Sequence, residues 1–191
     1  MNKPGDDNRS VRNTKRRLKD GLIRLLKEKP INEITAKELT EQVDVNRGTF
    51  YFHYSDIYAL LRSVEDDFFE EFDRILSDMP EGENRAMTYL TAIFTFMGQN
   101  AELCQIMLGQ NGDMLFVERV KGLVGEHCSA IWRSVAPQAD DARIELFNAF
   151  LINGCIGAIK RWIDGGMAES PELISRMVTA IIMGAIGSYI G

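Results

Sequence analysis

The chain has 191 residues, 45% apolar and 26% charged, with a formal net charge of −6. That length suits one domain or two small ones around a substantial core. The composition is that of an ordinary soluble protein, and the acidic balance argues against a generally basic nucleic-acid coat.

The average conceals an asymmetry. Residues 1–62 hold 13 basic against 9 acidic side chains, a net of +4, and the remainder holds 9 against 19, a net of −10. A basic head on an acidic body suits a protein that offers one end to phosphate. Cys104, Cys128 and Cys155 are widely spaced, form no CxxC or Cys/His cluster, and read as small buried hydrophobes in a reducing compartment. No motif implies a metal or other cofactor. The N-terminus lacks an apolar export signal. The most apolar run, Met177 to Ile190, is shorter than the ~20 residues a bilayer span needs. A cytoplasmic location is the expectation.

Helical periodicity dominates, and no strand-like alternation stands out. The first ten residues are polar and read as loose. A helix over Val11–Glu28 places Val11, Leu18, Leu22 and Leu25 on one stripe, with Arg12, Lys15, Arg16, Arg17 and Lys19 in its first half. Cations there oppose the helix dipole, so something outside the helix should favour them. Pro30 ends it. Thr35 then reads as an N-cap, with Glu38 closing a capping box and Ile34 stapling onto Leu39. Asn46 caps a second short helix, with Val45 placed to staple onto Phe50. Two helix starts eleven residues apart leave one helix of about two turns and a tight turn through Asp44, the spacing of a helix-turn-helix. Ser55 is predicted to cap a long fourth helix to about Asp78. Pro80 and Gly82 mark the likeliest break before the body, though the functional division is drawn at 1–62 and 63–191.

Body helices are predicted over Asn84–Gln99, Glu102–Leu108, Asp113–Val135, Asp140–Asp164 and Pro171–Ile190. Gly165-Gly166 ends the penultimate one, and Ser170-Pro171 supplies an N-cap and an N1 proline for the last. The fold class is all-α: an N-terminal three-helix helix-turn-helix domain joined by a long helix to a C-terminal helical ligand-binding and dimerisation domain.

A helix that enters the major groove needs donors near its start, small residues for close approach and aromatic support behind. Asn46 to Tyr54 supplies all three. Arg47 is placed to reach a base edge or phosphate, and Gly48 removes a side chain where backbone would meet DNA. Thr49, Tyr51 and His53 can bond phosphates, while Phe50 anchors the helix. Thr35 and Lys37 can present backbone N–H groups and a cation to the sugar-phosphate chain. Phe52 and Tyr54 are expected in the small head core.

The segment TAKELTEQVDVNRGTFYFHYSDIYALL, with VNRGTFYFHY its most specific run, resembles the DNA-binding domain of the TetR/AcrR family of bacterial transcriptional regulators. The likeness covers roughly residues 10–62. It implies an all-helical protein that binds double-stranded, palindromic operator DNA as a homodimer, with contacts at Thr35, Arg47, Thr49, Tyr51 and His53. Two positions depart from the family pattern. Asp44 stands where glycine is usual, so the turn needs a left-handed aspartate. Ile57 stands where many members carry a phosphate-binding lysine.

In the body, Phe147, Leu151, Gly154, Ala158 and Trp162 form one helical stripe, and Ile174, Met177, Ile181, Gly184 and Ser188 another. Both helices are apolar nearly all round, which suggests a four-helix-bundle homodimer face. The span FLINGCIGAIKRWIDGGMAESPEL also resembles the C-terminal helix pair of a TetR-like subgroup of Gram-positive bacteria, some of whose members act as co-activators. Candidates to line a pocket are Phe68, Phe72, Phe94, Met97, Met107, Met114, Phe116, His127, Trp132 and Phe150; each also suits an ordinary helical core. No catalytic set is present, so an enzyme is not expected. The leading reading is a dimeric repressor released by a small apolar effector. The alternative is a co-activator or helical protein-interaction module with weak or no operator binding.

Overall fold

The computed structural model describes residues 4–78, 85–109, 114–135 and 140–189. Among them the chain is all-α: α1 (Pro4–Glu28), a single 3-10 turn at Ile31–Glu33, α2 (Ala36–Gln42), α3 (Arg47–His53), α4 (Ile57–Ser77), α5 (Arg85–Gln99), α6 (Ala101–Met107), α7 (Met114–Val135), α8 (Asp141–Asp164) and α9 (Pro171–Tyr189). Two compact units divide it, residues 1–68 and 69–191, so the division falls within α4, as the expected one at 62/63 does. The break anticipated at Pro80–Gly82 lies outside the described residues.

In the first unit, α1 packs on α2 and α2 on α3. The core comprises Leu18, Leu22, Leu25, Ile34, Leu39, Val43, Phe50, Tyr54, Ile57 and Leu60, all buried. α1 starts at Pro4, well before the predicted Val11. Polar residues give no apolar stripe to read, and proline suits the first turn of a helix. Val11, predicted on the core stripe, is 37% exposed, because α1 outruns the helices that cover it lower down.

The caps follow the sequence with two changes. Thr35 Oγ1 accepts from Glu38 N at 3.2 Å, but the Glu38 carboxylate turns to Lys29 Nζ at 2.6 Å, and no reciprocal capping bond is made. At α4 the cap is Asp56, whose Oδ1 accepts from Ala59 N at 2.7 Å; Ser55 donates to the other Asp56 oxygen. This backbone hydrogen bond holds the Asp56 carboxyl below its ordinary pKa. Aspartate wins because its charge also complements the helix dipole.

In the second unit α5 lies along α9, α7 along α8, and α6 against α8. Aromatic pairs join further elements, α4 to α5 and α7, and α5 to α8. Phe72 stacks on Phe96 with centroids 5.6 Å apart, and Phe94 meets Trp162 edge-on at 5.7 Å. Phe69 packs on Phe116 at 5.0 Å under the Arg119 guanidinium. The α8–α9 turn forms as read from the sequence. Gly166 takes a φ of +77°, and Ser170 Oγ accepts from Leu173 N at 3.3 Å at the start of α9. Trp162 Nε1 donates to Glu169 O at 2.9 Å and ties that turn back to α8. Among the described residues, α8 is long and apolar enough to cross a bilayer by length and composition, although α6 and α7 pack on one of its sides.

Candidate functional site

The α2–α3 turn sets the site. Asp44 adopts a φ of +49°, the left-handed conformation that glycine takes without strain. α1 holds this turn: Arg17 Nη2 donates to the carbonyl oxygens of Val43 and Asp44. Thr40 is buried, and its hydroxyl donates back to the Ala36 and Lys37 carbonyls, leaving no buried polar atom unpaired there. Gly21 allows the approach of α1. A Cβ there would lie 2.9 Å from Leu39 Cδ1 and closer still to Val43 Cγ1. Sequence reading missed Gly21, since a glycine inside a helix gives no sign of what it faces.

α3 is capped by Asn46, whose Oδ1 accepts from Gly48 N at 2.7 Å. A Cβ on Gly48 would sit 3.1 Å from that same oxygen. Gly48 therefore serves the cap, a local reason for glycine that is independent of any ligand. Phe50 is fully buried beneath the helix. Asn46, Arg47 and Gly48 are exposed, Tyr51 is half exposed, and Thr49 and His53 are partly covered. Phe52, expected in the core, is instead 83% exposed. On so short a helix Phe50 and Tyr54 fill the inner side, and Phe52 falls on the same outer side as Gly48. Burial first, and then the charge of Lys15, hold the His53 imidazole below its ordinary pKa. At the start of α2, Thr35 and Lys37 are exposed, Lys37 lying 3.9 Å from Glu41. Ile57 is buried, so no cation follows the helix at that position.

This arrangement is one exposed, donor-bearing helix start, beside a second helix start, on a base built by α1. The comparisons with known proteins agree with it. Residues 20–64 match the family model described as bacterial regulatory proteins of the tetR family. Residues 84–184 match the transcriptional regulator C-terminal region TetR_C_8, which spans more than half the chain. This chain is a TetR-family transcriptional regulator. TetR-family regulators bind operator DNA and are transcription factors rather than enzymes.

The regulator is 36% identical over 61 residues to YxbF of Bacillus subtilis strain 168, an uncharacterized HTH-type transcriptional regulator. Those residues are 32% of this chain and 16% of that one, so the match spans about a sixth of YxbF. Its fold resembles the crystal structure of a TetR transcriptional regulator from Streptococcus agalactiae, with a TM-score of 0.66 and 20% identity, over 94% of this chain and 99% of that one. The fatty acid degradation regulator FadR from Bacillus halodurans matches with a TM-score of 0.69 and 12% identity, over 90% and 95% of the two chains.

Within the regulator's second unit, the candidate pocket residues do not come together as one lining. Phe68, Phe72, Phe94, Met97, Met107 and Phe116 are buried, and the ring pairs above already pack three of them. Met97 Sδ lies 3.8 Å from Cys104 Sγ. Met114 and Phe150 face outward at 78% and 72% exposure, which removes them from an interior wall. His127 bonds Asp73 at 3.0 Å, and the Trp132 side chain lies outside the described residues. Two surface grooves of about 500 and 470 Å³ run along α5 through Thr95 and Gln99 instead, and neither is lined by any of the ten candidates. Burial pushes the thiols of Cys104 up to about 12 and of Cys128 and Cys155 to about 11, so all three stay protonated near neutrality.

Burial within the subunit divides the expected α8 stripe. Phe147 and Trp162 are buried within the subunit, whereas Leu146, Phe150, Gly154 and Gly157 face outward. Leu151, Ala158 and Ile174 are half-buried. On α9, Met177, Ile181 and Gly184 are exposed, as are Leu173 and Met183, and the Ser188 side chain lies outside the described residues.

Proposed function

We propose that this regulator reads a palindromic operator as a homodimer, with α3 in the major groove and the start of α2 on the backbone. The exposed run Asn46-Arg47-Gly48, capped and backed by buried Phe50, carries this reading. Arg47 is assigned to a base edge, and Thr35, Lys37, Thr49, Tyr51 and His53 to phosphates. Phe52 joins the interface, because an exposed ring beside Gly48 suits a thymine methyl. Duplexes selected from a random pool by the purified protein should be palindromic. Arg47→Ala should weaken binding to them by about 1–3 kcal/mol and relax one position of the site. Unchanged affinity and selectivity would remove Arg47 from its role.

The homodimer reading rests on the open apolar faces of α8 and α9. A helix as apolar as α8 that leaves Leu146 and Phe150 at 61% and 72% exposure needs a cover, and Gly154 and Gly157 let a second helix approach closely. A cytoplasmic repressor released by a small apolar effector completes the proposal. α4 passes in sequence from one unit into the other, and an effector would act by changing the separation of the two α3 helices relative to half-sites about one DNA turn apart. Release of the selected duplex by one member of a panel of fatty acids and hydrophobic drugs would support the effector. Activation of a reporter by the bound protein would replace the repressor assignment.

A further inference from the structure

α5 turns a row of polar side chains outward. Thr88, Thr91, Thr95 and Gln99 follow one another at three- and four-residue steps; Thr88 and Gln99 are exposed, Thr91 and Thr95 half-buried. This row floors the two grooves along α5, which meet at Thr95 and Gln99. Glu71 and Ile75 of α4 border one groove, and the α8–α9 turn from Met167 to Pro171 borders the other. From Thr88 to Gln99 the floor is about 16 Å long, at about 1.5 Å of rise per residue. The Thr91 hydroxyl donates to Met87 O at 2.8 Å, whereas among the described residues the side chains of Thr88, Thr95 and Gln99 make no hydrogen bond.

Two residues shape the turn end of the groove. Gly98 lacks the Cβ that would stand 3.0 Å from the Trp162 ring and 3.7 Å from Met167 Sδ. Met167 takes a φ of +54°, in the left-handed region that glycine occupies without strain, and is 39% exposed. A side chain at that position carries strain that glycine would not, and it sets a thioether wall beside Gly98. Backbone strain of this kind gathers at ligand clamps. Trp162 Nε1 is bound to Glu169 O, so the indole offers only carbon to the groove. Met167, Trp162 and Pro171 thus form a small apolar slot over Gly98.

The charged side chains that line the two grooves are both carboxylates, and each shares its groove with Gln99. Glu71 is paired with Arg74 of its own helix, and Glu169 meets no cation among the described residues. α5 ends at Gln99, and a helix C-terminus adds partial negative charge. A cationic group is therefore favoured there, next to the apolar slot. A small ligand is held by burying most of its surface, which an open groove does not do. An extended chain suits the groove better. Its same-side groups recur about every 6.6 Å, close to the steps of about 4.5 and 6 Å along the polar row. About five extended residues would cover the floor.

We propose that the α5 groove docks an extended segment of a partner protein, with a lysine or arginine side chain over Gln99 and a large apolar side chain in the slot at Gly98 and Met167. The site lies wholly in the second unit and does not depend on how α3 meets DNA.

The test selects random nine-residue peptides, displayed on phage, against the full-length protein, then measures the selected sequence by fluorescence anisotropy. Selected peptides should pair a lysine or arginine with a large apolar residue within about three positions. Their binding should weaken as salt rises. Gln99→Lys sets an ammonium group between the two carboxylates, and Met167→Gly removes the thioether wall while relaxing the backbone. Each should weaken the selected peptide at least about fivefold. Thermal unfolding should show both variants folded, since Gln99 is exposed and glycine suits the φ at Met167.

A selection that yields no peptide, or acidic ones, overturns the proposal. Peptides that bind both variants as tightly as the wild type overturn it too, because they dock on another face. Displacement of the peptide by spermidine at the peptide's own concentration would assign the carboxylates to a small polyamine and likewise overturn it.

Discussion

Asp44 shows what a single residue can disclose. Its place at a turn position where the resembled family carries glycine implies a left-handed backbone, and its φ is +49°. Its carboxylate is fully exposed and 3.9 Å from Arg17, a pair of little worth in water. Asp44→Gly should therefore leave stability unchanged or raise it by up to about 1 kcal/mol, since relief of strain outweighs the added freedom of the unfolded chain. Asp44→Val should lower it, as urea denaturation of both variants will show. His53 gives a prediction in pH. Its depressed pKa means that the unfolded chain binds the proton more tightly, so its contribution to stability is full above the unfolded pKa and declines as pH falls through it. On the proposed orientation, phosphate beside His53 reverses that shift. Operator affinity should then rise as pH falls from about 7.5 to about 6, while folding stability does not. His53→Asn should abolish this share of the pH dependence; an unchanged profile would remove His53 from the phosphate. Phe52 marks the limit of reading at this scale. An aromatic residue next to a helix end reads as core, and only the placement of Phe50 and Tyr54 shows that the core has no room for it.

At the scale of elements, the helix starts were legible because caps are local chemistry. Thr35, Asn46 and Ser170 each accept the backbone N–H that sequence spacing offers them. Glu38 and Ser55 depart from their expected parts for a tertiary and a local reason respectively: Lys29 lies within reach of one, and the charged Asp56 takes the cap from the other. The contact between α1 and α2 was not legible, since it depends on the absent side chain of Gly21. Gly21→Ala should destabilise the N-terminal unit by about 1–3 kcal/mol through overpacking against Val43 and Leu39, despite the better helix propensity of alanine. Thermal or chemical unfolding will measure it. A stabilised variant would mean that the two helices separate freely.

For the whole molecule, the open faces of α8 and α9 make the strongest demand. Ile181→Asp or Phe150→Asp places a charge on the most exposed large apolar residue described on each helix, at 69% and 72%. Each should convert a dimer to a monomer in light scattering, with a cost of roughly 2 kcal/mol or more if the residue is a central contact. On the proposed homodimer, weakened operator binding should follow, because one protomer would hold each half-site. A dimer that survives both substitutions would transfer the interface elsewhere.

The sequence by itself determined the all-α class and the helix-turn-helix, because caps, turn residues and periodicity act over a few neighbouring positions; its resemblance to the TetR/AcrR family added the family and the left-handed residue at Asp44. The tertiary structure decided which side of each apolar helix is covered. On α8 nearly every side is apolar, so its sequence cannot choose between Phe147 and Phe150; packing against α6 and α7 buries the first and leaves the second in the open. The same holds on α1, where adjacent arginines look alike in sequence. Proximity to the turn engages Arg17, whereas Arg12 and Arg16 remain exposed.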